Sequence, residues 1–507
     1  MAVNQIKAGA VLSYLSIGLS NIVGILYTPF MLRMLGQSEY GMFSLAASVV
    51  GYLTILDMGF GNAIVRYTAQ YRAENKEEKQ WALFGMFVLF YGIIGLITLS
   101  AGTVLYFNVD TLFSKTMDIE QLHQMQIMVL LMVVNLAVSF VFGISGSIIT
   151  AYQCFVWQQL INIVRIVLQP CIMIIILLLG YKAVAMIVIM TIMNLCVLGI
   201  NCWFCISKLK IKIHFDKWDK KLFKEVCGYS FFIFIGSIID KLYWSTGQFI
   251  LGIYTGTIAV AIYAVAIQLK GYYMSFANTL STLFLPKVTS MIACDIPESR
   301  LSDLFIRVGR IQFIVLGFIM FGFIAFGKLF IYCWAGEDYS SSYSIALILM
   351  LPLSIPLLQS LGYTILQAKA QLKFRAYLYL GIAILSLVFS TPITKQYGGM
   401  GCAIVTSLCL LLGHGIVMNV YYCKVIHLDV IRFWKEILRM MLPICWLPFP
   451  TLYLLNIRDV QSWGGLMAGV AVFSLFYLGI LYKFSLNTEE RMLIAQPFHK
   501  IKQKIMK

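Results

Sequence analysis

Apolar stretches recur along the whole chain and are separated by short polar segments. Each stretch holds about 20 residues, which as a helix cross the roughly 30 Å hydrocarbon core of a bilayer. Because backbone polar groups inside a membrane must find hydrogen bonds within the protein, such runs favour helices. The pattern predicts fourteen spans, at residues 10–32, 41–64, 82–106, 126–150, 159–180, 183–206, 227–252, 258–284, 311–334, 344–366, 376–395, 400–423, 438–455 and 463–482.

The composition agrees with this pattern. Of the 507 residues, 60% are hydrophobic and 12% are charged, whereas a soluble domain has about 25% charged residues. The net charge is +16, and most Lys and Arg residues fall in alternate loops between the predicted spans. By the positive-inside rule, this asymmetry predicts that both termini are cytoplasmic. The charge therefore indicates membrane topology, and we expect no nucleic-acid partner.

The two halves of the chain resemble each other weakly. Gly36 and Gly256 stand at the turn into the second helix of each half, and Gly180 and Gly398 stand in the hairpin before the sixth. Internal repeats of this kind are typical of transporters. We therefore predict an all-α polytopic membrane protein with two pseudo-symmetric six-helix lobes and two C-terminal helices. The predicted parts are a first lobe at 1–206, a basic cytoplasmic connector at 207–225, a second lobe at 226–423, helices 13 and 14 at 424–483, and a basic cytoplasmic tail at 484–507.

Residues 26–71 carry several short motifs in a fixed order. Leu35-Gly36 is followed by Glu39-Tyr40-Gly41, and then by Leu56-Asp57-Met58-Gly59-Phe60-Gly61 with Arg66. Further motifs are Ile262-Tyr263-Ala264, Leu285-Pro286 and Tyr397-Gly398-Gly399-Met400-Gly401. In the order and spacing of these motifs, the chain resembles the polysaccharide transport family. These are the O-antigen and capsule-type flippases of the multidrug/oligosaccharidyl-lipid/polysaccharide exporter superfamily.

The resemblance implies a flippase that moves a polyprenyl-diphosphate-linked oligosaccharide from the inner to the outer leaflet of the bacterial cytoplasmic membrane by alternating access. It implies the lipid bilayer and other polysaccharide-assembly membrane proteins as partners, and no cofactor, with H⁺ or Na⁺ as candidate coupling ions. Alternatives in the superfamily are a peptidoglycan-precursor lipid flippase and a drug/cation antiporter, although acidic residues would dominate the cavity of an antiporter. A membrane glycan polymerase is the alternative from another class, and the short outward loops argue against an enzyme.

Ionisable side chains inside apolar spans cost about 2.5–3.5 kcal/mol at mid-membrane, so they usually face a watery cavity or a partner. Arg165 shares a helix face with Gln169, and its planar guanidinium suits phosphate oxygens; alternatively it extends to the headgroups. Asp57 either anchors a loop or contacts substrate. Asn21 belongs to a stripe of small residues that either packs against another helix or lines a cavity.

In the second lobe, Asp240 and Lys270 are predicted at a similar depth on adjacent helices. They form either a static pair or a pair that opens when substrate, H⁺ or Na⁺ arrives. His414 is either a hydrogen-bonded structural residue or a proton relay. The candidates for a substrate cavity are Asn21, Asp57, Arg66, Arg165, Gln169, Tyr243, Trp244, Lys270, Tyr363 and Gln367, and those for coupling or gating are Asp240, Lys241, Lys270 and His414. We predict no catalytic residue and no metal ligand.

Overall fold

The chain folds into long helices. The computed structural model describes residues 2–215, 220–294, 296–369, 371–448, 462–487 and 490–491, and these ranges contain no β-strand. The helices of the first half are α1 (Ala2–Leu53), a 3₁₀ turn (Thr54–Asp57), α2 (Phe60–Ala73), α3 (Glu77–Phe113), α4 (Ile119–Ala151), α5 (Phe155–Leu178), α6 (Ala183–Ser207), α7 (Lys220–Trp244) and α8 (Thr246–Tyr254).

The second half continues in the same way. Its helices are α9 (Thr257–Ala293), α10 (Glu298–Ala335), a 3₁₀ turn (Glu337–Tyr339), α11 (Ser341–Leu358), α12 (Ser360–Ala368), α13 (Lys373–Leu410), a π-helical turn (Leu411–Met418), α14 (Asn419–Lys424), α15 (Val430–Met441), α16 (Trp463–Ile480) and a second π-helical turn (Leu481–Ser485). Predicted span 438–455 and the predicted tail 484–507 lie partly outside the described residues.

Among the described residues, ten helical segments are long and apolar enough to cross a membrane. Two of them, Ala8–Ala73 and Lys373–Lys424, each join two predicted spans. Their backbones leave the helical conformation at Gly36 and at Gly398. The all-α membrane-spanning class is therefore confirmed, whereas the count of fourteen spans is not.

The glycines that suggested a repeat share a backbone feature. Gly36 and Gly256, at the turns into the second helix of each half, have φ angles of 73° and 87°. Gly180 and Gly398, in the matching hairpins, have φ angles of 87° and 57°. A residue with a β-carbon rarely adopts this left-handed region, so the four turns favour glycine for the same reason.

Several of the predicted spans are not continuous helices, among them 41–64, 227–252 and 344–366, and the predictions were wrong on this point. The span at 41–64 stops as an α-helix at Leu53, turns through Thr54–Asp57, and restarts at Phe60. The span at 227–252 is interrupted at Ser245, between α7 and α8. Helices that break inside a membrane protein are tolerated where the freed backbone groups find partners in protein or in a watery cavity.

Helix contacts divide the chain into two compact units. Unit 1 comprises Met1–Ala264 and Leu387–Cys402, and unit 2 comprises Val265–Ser386 and Ala403–Lys507. These units are defined by contacts rather than by sequence similarity, so the lobe boundaries proposed from the sequence stay a prediction.

The core of unit 1 lies where α2, α3 and α4 meet. Its largest side chains are aromatic, and they pack edge-to-face or tilted around Phe60, with ring centres 5.9 Å from Phe87 and 6.1 Å from Tyr91. Burial of such rings stabilises a helix bundle through dense packing rather than through directional bonds. The buried members of the cluster include Phe60, Ile64, Phe84, Phe87, Tyr91, Ile94, Phe140, Ile144 and Ile149.

In unit 2, Arg310 of α10 joins three segments that are distant in sequence. Its Nε and Nη2 donate to the two carboxylate oxygens of Glu490, at 2.7 and 2.8 Å. Its Nη1 donates to Glu436 of α15 at 2.5 Å, and Nη2 also donates to the carbonyl of Ser485 at 2.8 Å. Burial raises the pKa of Glu490, but the hydrogen bonds from Arg310 and the Asn487 backbone, together with the positive charges of Arg310 and Arg307, outweigh it and hold that pKa below its usual value. We call this arrangement the Arg310 clamp.

Candidate functional site

The two interrupted helices of unit 1 meet at their breaks. The hydroxyls of Tyr52, just before the 3₁₀ turn, and of Thr246, the first residue of α8, are hydrogen-bonded at 2.8 Å. Met58 and Gly59 then adopt left-handed conformations, with φ angles of 50° and 69°, and α2 begins at the next residue, Phe60. We call this region the unit 1 joint. Discontinuous spans of this kind supply the substrate and ion sites of many transporters.

Asp57 lies inside the unit 1 joint, at the end of the 3₁₀ turn. Its Oδ1 accepts a hydrogen bond of 2.8 Å from the hydroxyl of Tyr91. Lys241 approaches the same region, because a β-carbon added at Gly51 would lie 3.6 Å from its Nζ. The structure therefore brings one acidic candidate and one basic candidate to the break in α1.

Arg165 and Gln169 lie on one face of α5, as their spacing predicts. The Arg165 Nε donates to the Gln169 Oε1 at 3.2 Å, and the guanidinium is half-buried. No carboxylate among the described residues forms an ion pair with Arg165. Its position is about 15 Å along the helix axis from Phe155, at 1.5 Å per residue. A cation is thus held within an apolar helix by a neutral partner.

The remaining candidates of unit 1 are more dispersed. Asn21 is half-buried on α1, and Arg66 is exposed on α2 with its guanidinium 5.7 Å from the ring centre of Tyr67. At the end of α7, Tyr243 is buried and its ring meets that of Trp244 edge-on at 4.6 Å. Asp240, on the same helix, is exposed. Asp240 and Lys241 belong to the contacts of unit 1, and Lys270 belongs to unit 2, so an Asp240–Lys270 pair stays a prediction.

Lys270 occupies the buried face of α9 that its spacing predicts. It is 4% exposed, and Tyr273 one turn further is 2% exposed. The hydroxyls of Tyr273 and Ser354 of α11 are hydrogen-bonded at 2.8 Å. Burial of a lysine inside a membrane span costs free energy unless the lysine has partners. The gating role of Lys270 stays a prediction.

A cation–aromatic cluster in unit 2 connects α12, α13 and the π-helical turn. The guanidinium of Arg375 lies 3.9 Å from the ring centre of Tyr363 and 4.7 Å from that of Tyr379. Its Nη2 donates to the Tyr379 hydroxyl at 3.2 Å, and the same hydroxyl is hydrogen-bonded to Nε2 of His414. We call Tyr363, Arg375, Tyr379 and His414 the Arg375 cluster. Gln367, the other candidate on α12, is exposed one turn beyond Tyr363.

The π-helical turn that carries His414 is held by one side chain. The amide of Asn419 donates to the carbonyls of His414 and Gly415, at 2.7 and 3.0 Å. Its Oδ1 accepts from Gln359 at 2.7 Å and from the indole of Trp434 at 2.8 Å. Gln359 separates α11 from α12, so the predicted span at 344–366 is also interrupted. Such π-turns occur frequently at functional sites.

Arg375 was not among the sequence candidates, because it lies in a basic loop region where Lys and Arg are expected on topological grounds. A local signal was present, since Arg375 and Tyr379 are four residues apart and therefore adjacent on a helix. The contact with Tyr363 and the bond from Tyr379 to His414 depend on tertiary packing, which spacing does not reveal. No cluster of potential metal ligands occurs among the described residues.

These features define an all-helical, multi-span membrane protein with interrupted helices and charged side chains inside its spans. The family described as "Polysaccharide biosynthesis protein" matches residues 6–291, more than half of the chain, and the chain belongs to this family. A curated relative is the "Uncharacterized membrane protein EpsK" of Bacillus subtilis (strain 168), 21% identical over 96% of both chains.

Two solved structures show the same fold at low sequence identity. One is titled "Lipid II flippase MurJ, inward closed conformation", with a TM-score of 0.70 and 16% identity over 97% of this chain and 99% of that one. The other is an inward-facing multidrug resistance MATE family transporter of the MOP superfamily, with a TM-score of 0.62 and 12% identity over 82% of this chain and 96% of that one. The resemblance to the polysaccharide transport family is thereby confirmed.

Proposed function

We propose that this protein is a flippase for a polyprenyl-diphosphate-linked oligosaccharide, used to assemble a surface polysaccharide such as O-antigen or capsule. It would act in the bacterial cytoplasmic membrane with both termini in the cytoplasm, in company with other polysaccharide-assembly membrane proteins. Membership of the polysaccharide biosynthesis family supports the substrate class. The fold shared with a lipid flippase and a multidrug transporter supports translocation rather than catalysis.

The observation that carries the proposal is the electrostatic state of Arg165. It is half-buried within an apolar helix, its hydrogen-bond partner is the neutral Gln169, and no described carboxylate neutralises it. A diphosphate would supply the missing negative charge, and a guanidinium binds phosphate oxygens through two parallel hydrogen bonds. A drug/cation antiporter would instead be expected to have a cavity in which acidic residues dominate.

The driving force need not come from an ion gradient. A diphosphate moves negative charge outward, which an inside-negative membrane potential favours by about 2.3 kcal/mol per charge per 100 mV. Coupling to H⁺ or Na⁺ remains a proposal, with Asp240, Lys241, Lys270 and His414 as its candidates. The Asp57 carboxylate and the other candidates in unit 1 are proposed to line the path of the sugar and headgroup.

The test uses the native host with its gene for this protein deleted and replaced by variants. We expect the deletion to accumulate lipid-linked oligosaccharide and to lose surface glycan, and Arg165→Ala to reproduce both defects at wild-type protein level. Arg165→Lys should retain part of the activity because the charge remains. Arg300→Ala, which removes an exposed arginine at the start of α10, is the control and should behave as wild type.

Two outcomes would contradict different parts of the proposal. Unchanged lipid-linked oligosaccharide in the deletion strain would refute the flippase function. Normal glycan display with Arg165→Ala would refute the phosphate contact and leave the function intact. Rescue of cells depleted of their peptidoglycan-precursor flippase would favour that alternative, which shares the fold and the diphosphate chemistry.

A further inference from the structure

The Arg375 cluster contains a second cation whose charge has no acidic counterpart. Arg375 is half-buried, and its contacts are two tyrosine rings and one hydrogen bond to a hydroxyl. In the part of the chain that the structure describes, no carboxylate forms an ion pair with it. Lys369, which precedes α13, is by contrast paired with Glu298 at 3.5 Å. The described partners of the guanidinium are therefore all neutral groups.

The Arg310 clamp shows how a buried arginine of this chain is neutralised by carboxylates. Arg310 is 2% exposed and is neutralised by Glu490 and Glu436. A guanidinium has five N–H donors, and Arg310 uses three nitrogens on described partners, whereas Arg375 uses one. The contrast indicates that N–H groups of the Arg375 guanidinium are available to donate hydrogen bonds to a ligand.

A chain of hydrogen bonds supports the Arg375 guanidinium. Tyr379 receives its hydrogen bond and is itself bonded to His414, which is 3% exposed. The π-helical turn around His414 is in turn held by Asn419. Binding sites are more effective when supporting residues hold the contacting group in place before the ligand arrives. Tyr379 and His414 are positioning residues in this arrangement.

The outer side of the cluster suits a sugar phosphate. Tyr363 is 38% exposed and lies against the guanidinium. Gln367, one turn further along α12, and Lys373, the first residue of α13, are exposed. An exposed aromatic ring offers an apolar face and a hydroxyl, which suit a pyranose ring, while Arg and Lys suit phosphate oxygens. The cluster lies at the end of α12 and the start of α13, on the side that the Lys and Arg distribution assigns to the cytoplasm.

We propose that the Arg375 cluster binds the phosphate groups of a lipid-linked diphosphate, with Tyr363 against the first sugar. This site is built from residues of unit 2, whereas Arg165 belongs to unit 1, and it would capture the substrate on the cytoplasmic side. The inference rests on the proposed function for the identity of the substrate class. The geometry alone supports the phosphate chemistry.

The experiment measures binding of geranylgeranyl diphosphate to the purified full chain in phosphatidylcholine nanodiscs. Arg375→Gln should weaken binding about 10-fold or more, because charge-assisted hydrogen bonds to the phosphate are lost. Arg375→Lys should fall between wild type and Arg375→Gln, because it keeps the charge and loses the planar fork. Arg300→Gln, an exposed arginine on α10, should bind as wild type does. Melting temperatures of all variants identify any that fail to fold. If Arg375→Gln fails to fold, the comparison of Arg375→Lys with wild type still tests the site.

Three control arms distinguish the sources of phosphate. Geranylgeraniol, which has the same tail without phosphate, should not compete, and neither should inorganic diphosphate or phosphatidylglycerol at the same concentration. Equal binding by Arg375→Gln and wild type would overturn the site. Full competition by geranylgeraniol, by inorganic diphosphate or by phosphatidylglycerol would overturn its assignment to a lipid diphosphate.

Failure of the proposed function gives a different result. In that case wild-type proteoliposomes would bind the probe with the expected dependence on Arg375, yet would not move a fluorescent lipid diphosphate between leaflets. Conversely, flipping by wild type together with Arg375-independent binding would refute the site and leave the function intact.

Discussion

The Arg310 clamp allows a quantitative prediction. Glu490 accepts two hydrogen bonds from Arg310, at 2.7 and 2.8 Å, and is 6% exposed. Glu490→Gln keeps the shape but replaces one acceptor oxygen with a donor that faces an N–H group, so at least one bond is lost. A hydrogen bond to a charged group contributes about 1.5–3 kcal/mol. We expect the free energy of local opening of residues 485–491 to fall by that amount.

Hydrogen exchange on the purified protein measures this opening. Amides of residues 485–491 should exchange about 10- to 150-fold faster in Glu490→Gln than in wild type. Glu74→Gln is the matched control, since Glu74 belongs to unit 1 and pairs with Lys76 at 2.6 Å in an exposed loop. Unchanged protection of 485–491 in Glu490→Gln would refute the idea that the clamp holds this segment.

The clamp also predicts that the protection of nearby amides from hydrogen exchange depends on pH. The pKa of Glu490 lies below its ordinary value of 4.5 in the folded chain. A carboxyl group with a lowered pKa contributes stability above its unfolded pKa and loses it as the pH falls through the folded value. After correction for intrinsic exchange rates, protection of residues 485–491 should therefore decrease in acid in wild type. Glu490→Gln should lack this component.

Two further predictions concern unit 1. Tyr91→Phe removes the hydroxyl that donates to Asp57 and should destabilise the protein by about 1–3 kcal/mol. Its melting temperature should therefore be lower than that of Tyr181→Phe, the control that alters an exposed ring. Equal melting temperatures would mean that the hydrogen bond contributes nothing to stability. Gly256→Ala forces a β-carbon into the left-handed region and should cost about 1–2 kcal/mol, whereas Gly271→Ala has open space and an ordinary helical backbone. If both alanine variants melt alike, the turn does not require glycine.

The sequence predicted the fold class because apolar runs long enough to cross a membrane are a strong signal. It also predicted that Arg165 and Gln169 share a helix face, since that follows from helical geometry alone. The interruptions at Met58-Gly59 and Ser245 were missed. The motif Asp57-Met58-Gly59 did contain a glycine that favours a left-handed turn, but a hydropathy pattern averages over such single residues.

The Arg375 cluster illustrates a different limit. Positive charge near a span end is expected from topology, so composition gave no reason to single out Arg375. Its role depends on which partners tertiary packing brings to it, and here these are Tyr363 and Tyr379 rather than a carboxylate. His414 was a candidate from the sequence, and its hydrogen bond to Tyr379 is consistent with the structural reading.

Asn419 has a consequence for how this sequence can change over evolutionary time. One side chain satisfies two carbonyls of the π-helical turn and accepts hydrogen bonds from Gln359 and Trp434, which lie in two other parts of unit 2. Replacing Asn419 removes the acceptor of both Gln359 and Trp434, and replacing Gln359 or Trp434 removes one of the two hydrogen bonds to the Asn419 Oδ1. We therefore expect positions 359, 419 and 434 to vary together among related sequences, so that a homologue lacking asparagine at 419 would also differ at the other two.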